Sequence, residues 1–151
     1  MPKSVIAIFD VGKTNKKLFL IDEEYKIVYE RSARFVETLD EDGEPCENLE
    51  SLISSVYDSL HQVQKMEEYE IKAINFSTYG ASFVYLDEDG KPLTPLYNYL
   101  KPYPVELSSE FYAKYGGEEK IAQETASPIL GSLNSGLQLY RLKKEQPAIF
   151  E

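Results

Sequence analysis

The sequence predicts an α/β protein with a mixed sheet. Three observations carry that expectation. Three β-rich segments near the start are joined by short polar turns. A helical stretch with one apolar stripe follows them, and a further β-rich segment follows the helix. Short connections require antiparallel neighbours, whereas a helical crossover returns the chain parallel to an earlier strand.

Residues 5–9, Val-Ile-Ala-Ile-Phe, are rich in β-branched residues without polar alternation, the pattern of a strand covered on both faces. Asp10-Val-Gly-Lys-Thr-Asn15 is a polar turn, and residues 17–21 form a second strand. After the turn at 22–26, residues 27–35 read as a third strand with more polar positions, nearer the edge. Together these make an antiparallel three-strand meander. Residues 38–48 are an acidic loop. Leu49, Leu52, Ile53, Val56, Tyr57, Leu60 and Val63 then fall on one helical face, predicting a helix over about 49–65. Glu47 and Glu50 lie where the helix dipole favours acids. Residues 71–77 are a fourth strand, parallel to a neighbour.

Residues 83–86 and 91–93 flank an Asp-Gly turn and predict a hairpin. Residues 95–104 hold three prolines and three tyrosines and read as irregular. Helices are expected over about 105–115, stopped by Gly116-Gly117, and over about 133–145, stopped by Pro147.

The length of 151 residues predicts one domain. With 26 acids against 16 bases, the net charge is −10. That charge disfavours nucleic acid and anionic membrane surfaces, which are bound by clustered Lys and Arg. One cysteine, Cys46, precludes an intrachain disulfide and a zinc site built on paired cysteines. The single histidine, His61, leaves little for a His-based triad and reads as a surface or boundary residue. Residues 5–9 are the longest apolar run, far short of the ~20 residues of a spanning helix or the ~7–15 of a signal peptide. These features point to a reducing cytoplasm.

Gly12-Lys13-Thr14 invites a P-loop reading, which needs a glycine at position 7 and a following helix. Position 7 is Ala7, and a strand follows. The other phosphate grip is a tight hairpin turn that aims backbone N–H groups at phosphate oxygens. Gly12 permits close approach, Thr14 and Asn15 add hydrogen bonds, and Lys16 or Lys17 adds charge. Asp10 can hold Mg2+ directly or through water. An ordinary polar hairpin loop has the same spacing.

The two Asp-Glu-Asp-Gly segments at 40–43 and 87–90 do not complete a calcium loop, because the closing positions are Leu49 and Leu96. They read as solvated turns. Cys46 lies among acids, which raise a thiol pKa and make it a poor nucleophile. Tyr79, Tyr97, Tyr99 and Tyr103 either line a polar-ligand cleft or pack a loop.

Residues 6–22 resemble the first phosphate-binding segment of the FGGY carbohydrate kinases: a buried strand, Asp-x-Gly-x-Thr, basic residues, and a second strand ending in Asp. Residues 74–93 are similar to that family's sugar-side hairpin, closest to the rhamnulose and fuculose kinases. Residues 123–130 and 137–150 resemble the segment after its Thr-Gly turn and its Pro-terminated helix. The resemblance implies an actin-like ATPase, ribonuclease H-like domain, incomplete at its C-terminal end. Residues 1–151 would be the N-terminal part of the first domain of a longer kinase.

Such kinases transfer the γ-phosphoryl of Mg-ATP to a ketose or polyol hydroxyl, so the implied cofactors are ATP and Mg2+. By the resemblance, Asp10 serves magnesium, while Gly12, Thr14, Asn15 and Lys17 serve the phosphates. Thr78, Tyr79, Gly80 and Ser82 border the sugar. No residue here matches the family's catalytic base, so this chain alone is expected to be inactive. Its implied partners are the sugar and the rest of the kinase chain, and a homo-oligomer is compatible with the reading. Ser82 stands where the closest relatives have Asp, and Asn98-Tyr-Leu-Lys-Pro-Tyr103 stands where others have Asp followed by Arg. A non-catalytic actin-like domain binding nucleotide or protein is the rival reading. A metal-dependent nuclease built on Asp10 is a third, and the acidic charge opposes it.

Overall fold

A computed structural model describes residues 1–151. The chain divides into two compact units, where length alone predicted one. The first comprises residues 1–38 and 47–80, the second residues 39–46 and 81–151. Each has its own buried apolar residues.

In the first unit, β1 (Lys3–Val11), β2 (Lys16–Asp22) and β3 (Ile27–Ala33) form the expected antiparallel meander. After α1 (Leu49–Gln64), β6 (Tyr69–Thr78) pairs parallel with β1, giving the order β3-β2-β1-β6. Val5, Ala7 and Phe9 of β1, with Leu18 and Leu20 of β2, pack with Val63 of α1 in one core cluster. Burying each large side chain of this kind stabilises the fold by ~1.5–3 kcal/mol. The expected covering of residues 5–9 on both faces is not what this chain shows. Ile6 is exposed and Ile8 half-buried, because α1 covers only one face. The apolar stripe of α1 is also narrower than its spacing suggests, since Ile53 and Tyr57 are exposed. Asn48 caps this helix, its Oδ1 accepting from the Ser51 N–H at 2.9 Å. His61 is exposed, as expected.

The acidic loop holds two short strands, β4 (Thr38–Leu39) and β5 (Pro45–Glu47), and Cys46 in it is buried. The second unit contributes β7 (Leu96–Tyr97), α2 (Val105–Tyr115), α3 (Glu118–Thr125), α4 (Ser135–Glu145) and α5 (Pro147–Phe150). Helix α2 has the predicted bounds and ends at Gly116, whose φ of 97° is left-handed. Residues 131–133 form a 3-10 turn, so α4 begins two residues later than expected. Pro147 does stop α4, and it then opens α5 from its first turn. Helix α3 has no counterpart in the sequence reading.

The predicted hairpin at 83–93 is reduced to its turn. The Asp-Gly turn closes, but Leu86 and Pro92 make only an isolated bridge. Pro92 lacks the N–H that a longer ladder requires.

Three aspartates build the same turn. The Oδ1 atoms of Asp22, Asp40 and Asp87 each accept from the backbone N–H groups two and four residues later, at 2.7–3.0 Å. The fourth residue of each turn has positive φ: Tyr25 (61°), Gly43 (80°) and Gly90 (78°). The Asp-Glu-Asp-Gly segments therefore direct their first carboxylates to their own backbone. No group of three or more His, Cys, Asp or Glu side chains gathers to hold a metal. No helix is long and apolar enough to cross a membrane.

Candidate functional site

The turn between β1 and β2 is closed by the Gly12 N–H donating to the Asn15 carbonyl at 2.9 Å. A Cβ at position 12 would lie 2.8 Å from that oxygen, so the closure requires glycine. The Gly12 N–H is thereby engaged within the turn. The following amides, those of Lys13, Thr14 and Asn15, are the candidate phosphate donors.

Register distributes the flanking side chains. Asp10 lies opposite Lys17 on β2 and beside Ser77 on β6. Side chains alternate along a strand, so these three share one face of the sheet. Val11, Lys16 and Thr78 pair in the next row, on the α1 side. The ladder continues past β6, where the Tyr79 N–H donates to the Val11 carbonyl at 3.1 Å. Thr78 thus ends the strand beside Asp10, and Tyr79 and Gly80 follow directly from it. Residues 16–22 are strand, which removes the P-loop reading.

Charges brace the turn. Lys16 Nζ donates to the Lys13 carbonyl and to Glu47 Oε2, each at 2.9 Å. Lys13 Nζ donates to Glu47 Oε1 at 3.1 Å and also pairs with Glu37. Burial works against the Lys13 charge, but the Glu37 and Glu47 hydrogen bonds outweigh it, and its ammonium titrates above the ordinary lysine value. Arg34 Nε reaches Asn15 Oδ1 at 2.6 Å. Lys17 leaves the opposite face, 2.8 Å from Glu30. The sequence offered Lys16 or Lys17 as the added charge, and here Lys16 is a buried brace while Lys17 shares the face of Asp10. The sequence reading placed Glu47 only at a helix start, and it gave neither Glu47 nor Arg34 a contact with the turn. Their contacts span 31 and 19 residues, and no local pattern signals them.

Asp10 fits a magnesium ion held by few protein groups. A single hard carboxylate on the Lys17 face suits Mg2+, which keeps much of its shell as water and phosphate oxygen.

In the second unit, Ser82 donates to the Tyr97 carbonyl at 3.0 Å. Its hydroxyl therefore braces a loop in this structure. Ala81 before it has a φ of 60°, and Gln138 Nε2 donates to its carbonyl at 2.6 Å. A pocket in this unit is lined by residues that include Tyr85, Tyr97, Asn98, Lys101, Gln138 and Arg141. Of the four singled-out tyrosines, Tyr97 lines it. Tyr103 packs, its hydroxyl donating to the Leu137 carbonyl at 2.9 Å, and burial pushes its pKa up to about 12. Lys101 lies buried between Asp40 and Asp42, at 2.6 and 2.7 Å.

The whole length from Val5 onward, residues 5–151, matches the FGGY family of carbohydrate kinases, N-terminal domain. A rhamnulokinase of Halalkalibacterium halodurans is 28% identical over 145 residues, which cover 94% of this chain and 30% of that protein. A rhamnulokinase of Mannheimia succiniciproducens is 26% identical, with 95% and 30% covered. Among solved structures, Plasmodium falciparum glycerol kinase with ADP superposes at a TM-score of 0.80 with 24% identity, over 98% of this chain and 30% of that one. Xylulose kinase from Lactobacillus acidophilus superposes at 0.78 with 21% identity, over 97% and 30%. The chain therefore spans about 30% of the length of these relatives. An α/β frame of this kind alone would fix only a fold, but the match runs through the turn, the parallel strand and the helices after them, and the chain belongs to the FGGY family of carbohydrate kinases, as its N-terminal domain.

Proposed function

We propose that this chain supplies the phosphate-binding part of a kinase that phosphorylates a ketose or polyol hydroxyl with ATP. Residues 1–151 form the N-terminal part of its first domain, and further chain completes the cleft. The observation that carries the reading is the register of β1, which sets Asp10 and Lys17 on one face beside the closed turn. The amides of the turn, with Thr14 and Asn15, grip phosphate oxygens, Gly12 allows their close approach, and Lys17 adds charge. Asp10 orients magnesium, which when bound neutralises phosphate charge. Thr78, Tyr79, Gly80 and Ser82 border the sugar. Ketoses come first as substrates, because two relatives are rhamnulokinases. The setting is the reducing cytoplasm, in keeping with a single buried thiol.

The test is carried out in a full-length enzyme that carries this domain. Asp10→Asn is expected to lower turnover ~10²-fold or more, with sugar affinity nearly unchanged. Thr14→Val is milder, since one neutral hydrogen bond contributes ~0.5–1.5 kcal/mol. A large melting shift for Asp10→Asn with near-normal turnover would make the segment an ordinary hairpin loop. The 151-residue chain by itself is expected to show no sugar-dependent ATP consumption, because positioning and a general base are both needed.

A further inference from the structure

Glu47 has no role in the phosphate reading so far, yet its side chain is only 4% exposed and both its oxygens are used on the turn. Oε1 takes Lys13 and Oε2 takes Lys16. Lys16 is itself 8% exposed and donates onward to the Lys13 carbonyl. A trans peptide is planar, with its C=O and N–H on opposite sides. Fixing the Lys13 carbonyl therefore fixes the direction of the Thr14 N–H across the same peptide plane. We propose that Glu47 is a positioning residue for the phosphate turn, acting through Lys16 to aim the Thr14 amide at a bound polyphosphate. This inference rests on the phosphate reading of the turn.

The mechanism separates orientation from net charge. Without the Glu47 carboxylate, Lys16 is a buried cation that has lost its charge partner, and such a group moves toward water or distorts its surroundings. Either movement releases the Lys13 carbonyl and lets the peptide plane rotate. A turn that must order itself on binding binds more weakly than one already ordered. Simple electrostatics gives the opposite sign: removing an acid beside two lysines makes the turn more positive, which favours phosphate.

The experiment uses the chain itself, kept dilute enough at constant low ionic strength to stay monomeric, with magnesium tripolyphosphate as the probe and backbone amide NMR as the readout. The wild type is expected to show saturable shifts at the Lys13, Thr14 and Asn15 amides. Glu47→Gln is expected to weaken binding about tenfold and to speed hydrogen exchange at Thr14. Lys16→Met is expected to do the same, and the double variant to lose little more, because both act through one bond. Should Glu47→Gln fail to fold, Lys16→Met carries the test through hydrogen exchange at Thr14, which speeds if the turn is released and is unchanged if only a charge is lost, since Glu47 keeps Lys13. Val63→Ala, a core truncation, is the stability control: its melting temperature falls while its affinity for the probe holds. Unchanged or tighter binding by Glu47→Gln, or by Lys16→Met, overturns the proposal and leaves the phosphate reading standing. Additive losses in the double variant overturn the route through Lys16. No response in the wild type overturns the phosphate reading itself, and this inference with it.

Discussion

Tyr25 occupies the position that glycine takes in the other two aspartate turns. Its φ is 61°, against 80° at Gly43 and 78° at Gly90. A left-handed conformation costs a residue with a Cβ ~1–2 kcal/mol, part of which glycine gives back as chain entropy. The Tyr25 side chain is 90% exposed and offers little packing in return. Tyr25→Gly is expected to raise stability by about 0.5–1 kcal/mol, read as a higher urea midpoint at unchanged slope. A loss of stability would mean that the tyrosine ring packs against its neighbours.

At the scale of elements, the turn at 40–43 does more than reverse the chain. Asp40 is fully buried at its side chain and pairs with Lys101, while Asp42 reaches both Lys101 and Arg141 of α4. Burial acts to raise the Asp40 pKa, but the Lys101 hydrogen bond and those from the Glu44 and Asp42 amides outweigh it and hold the carboxyl below its ordinary 3.8. A carboxyl lowered on folding stabilises the fold above its unfolded value, and that stability is lost as pH falls through the folded one. Lys101 is raised, so its share is present below the ordinary 10.5 and is lost as pH rises beyond it. Asp40→Asn is expected to cost ~1–3 kcal/mol at neutral pH, because Lys101 loses its buried carboxylate and keeps only the half-exposed Asp42. It is also expected to flatten the decline in stability below pH 3.8, followed by denaturant melts across that range. An acid limb as steep as that of the wild type would show that other carboxylates set it.

This clamp also marks where sequence reading stops. Read locally, Asp-Glu-Asp-Gly is a solvated turn; residues 40–43 do form a turn, but Asp40 is buried in it rather than solvated. Its partner Lys101 lies 61 residues away, and no spacing rule reaches it. The meander, α1 and α2 were legible because apolar period and end signals agree along them. Helix α3 was not, since Ile121 and Ala122 are the only aliphatic residues in an eight-residue segment and make no stripe. The tight turn between β1 and β2 was legible as a contiguous motif. Its brace was not, because Glu47 reads locally as an acid at a helix start.

For the whole molecule, the sheet ends in an exposed edge. β6 is the last strand in the order, and its residues from Lys72 to Thr78 are exposed, with Ile74 at 44% and Phe76 at 53%. A long, apolar edge strand is a template for another chain. The net charge of −10 opposes such contact at long range but is screened by salt. Self-association is therefore expected at roughly 100 μM protein, growing with ionic strength, and light scattering measures it. Phe76→Lys is expected to restore the monomer. A monodisperse wild-type monomer with cooperative melting would instead describe a self-sufficient domain. The single buried cysteine gives access to a different quantity. Cys46 is the only thiol in the chain and is 1% exposed, so a thiol reagent reaches it only when its surroundings open. The labelling rate then reports the free energy of that opening, and comparison with the global unfolding free energy tells whether the strand before α1 parts from the fold on its own or only when the whole chain unfolds. The protein thus carries a built-in clock for local breathing, with no residue needing to be introduced.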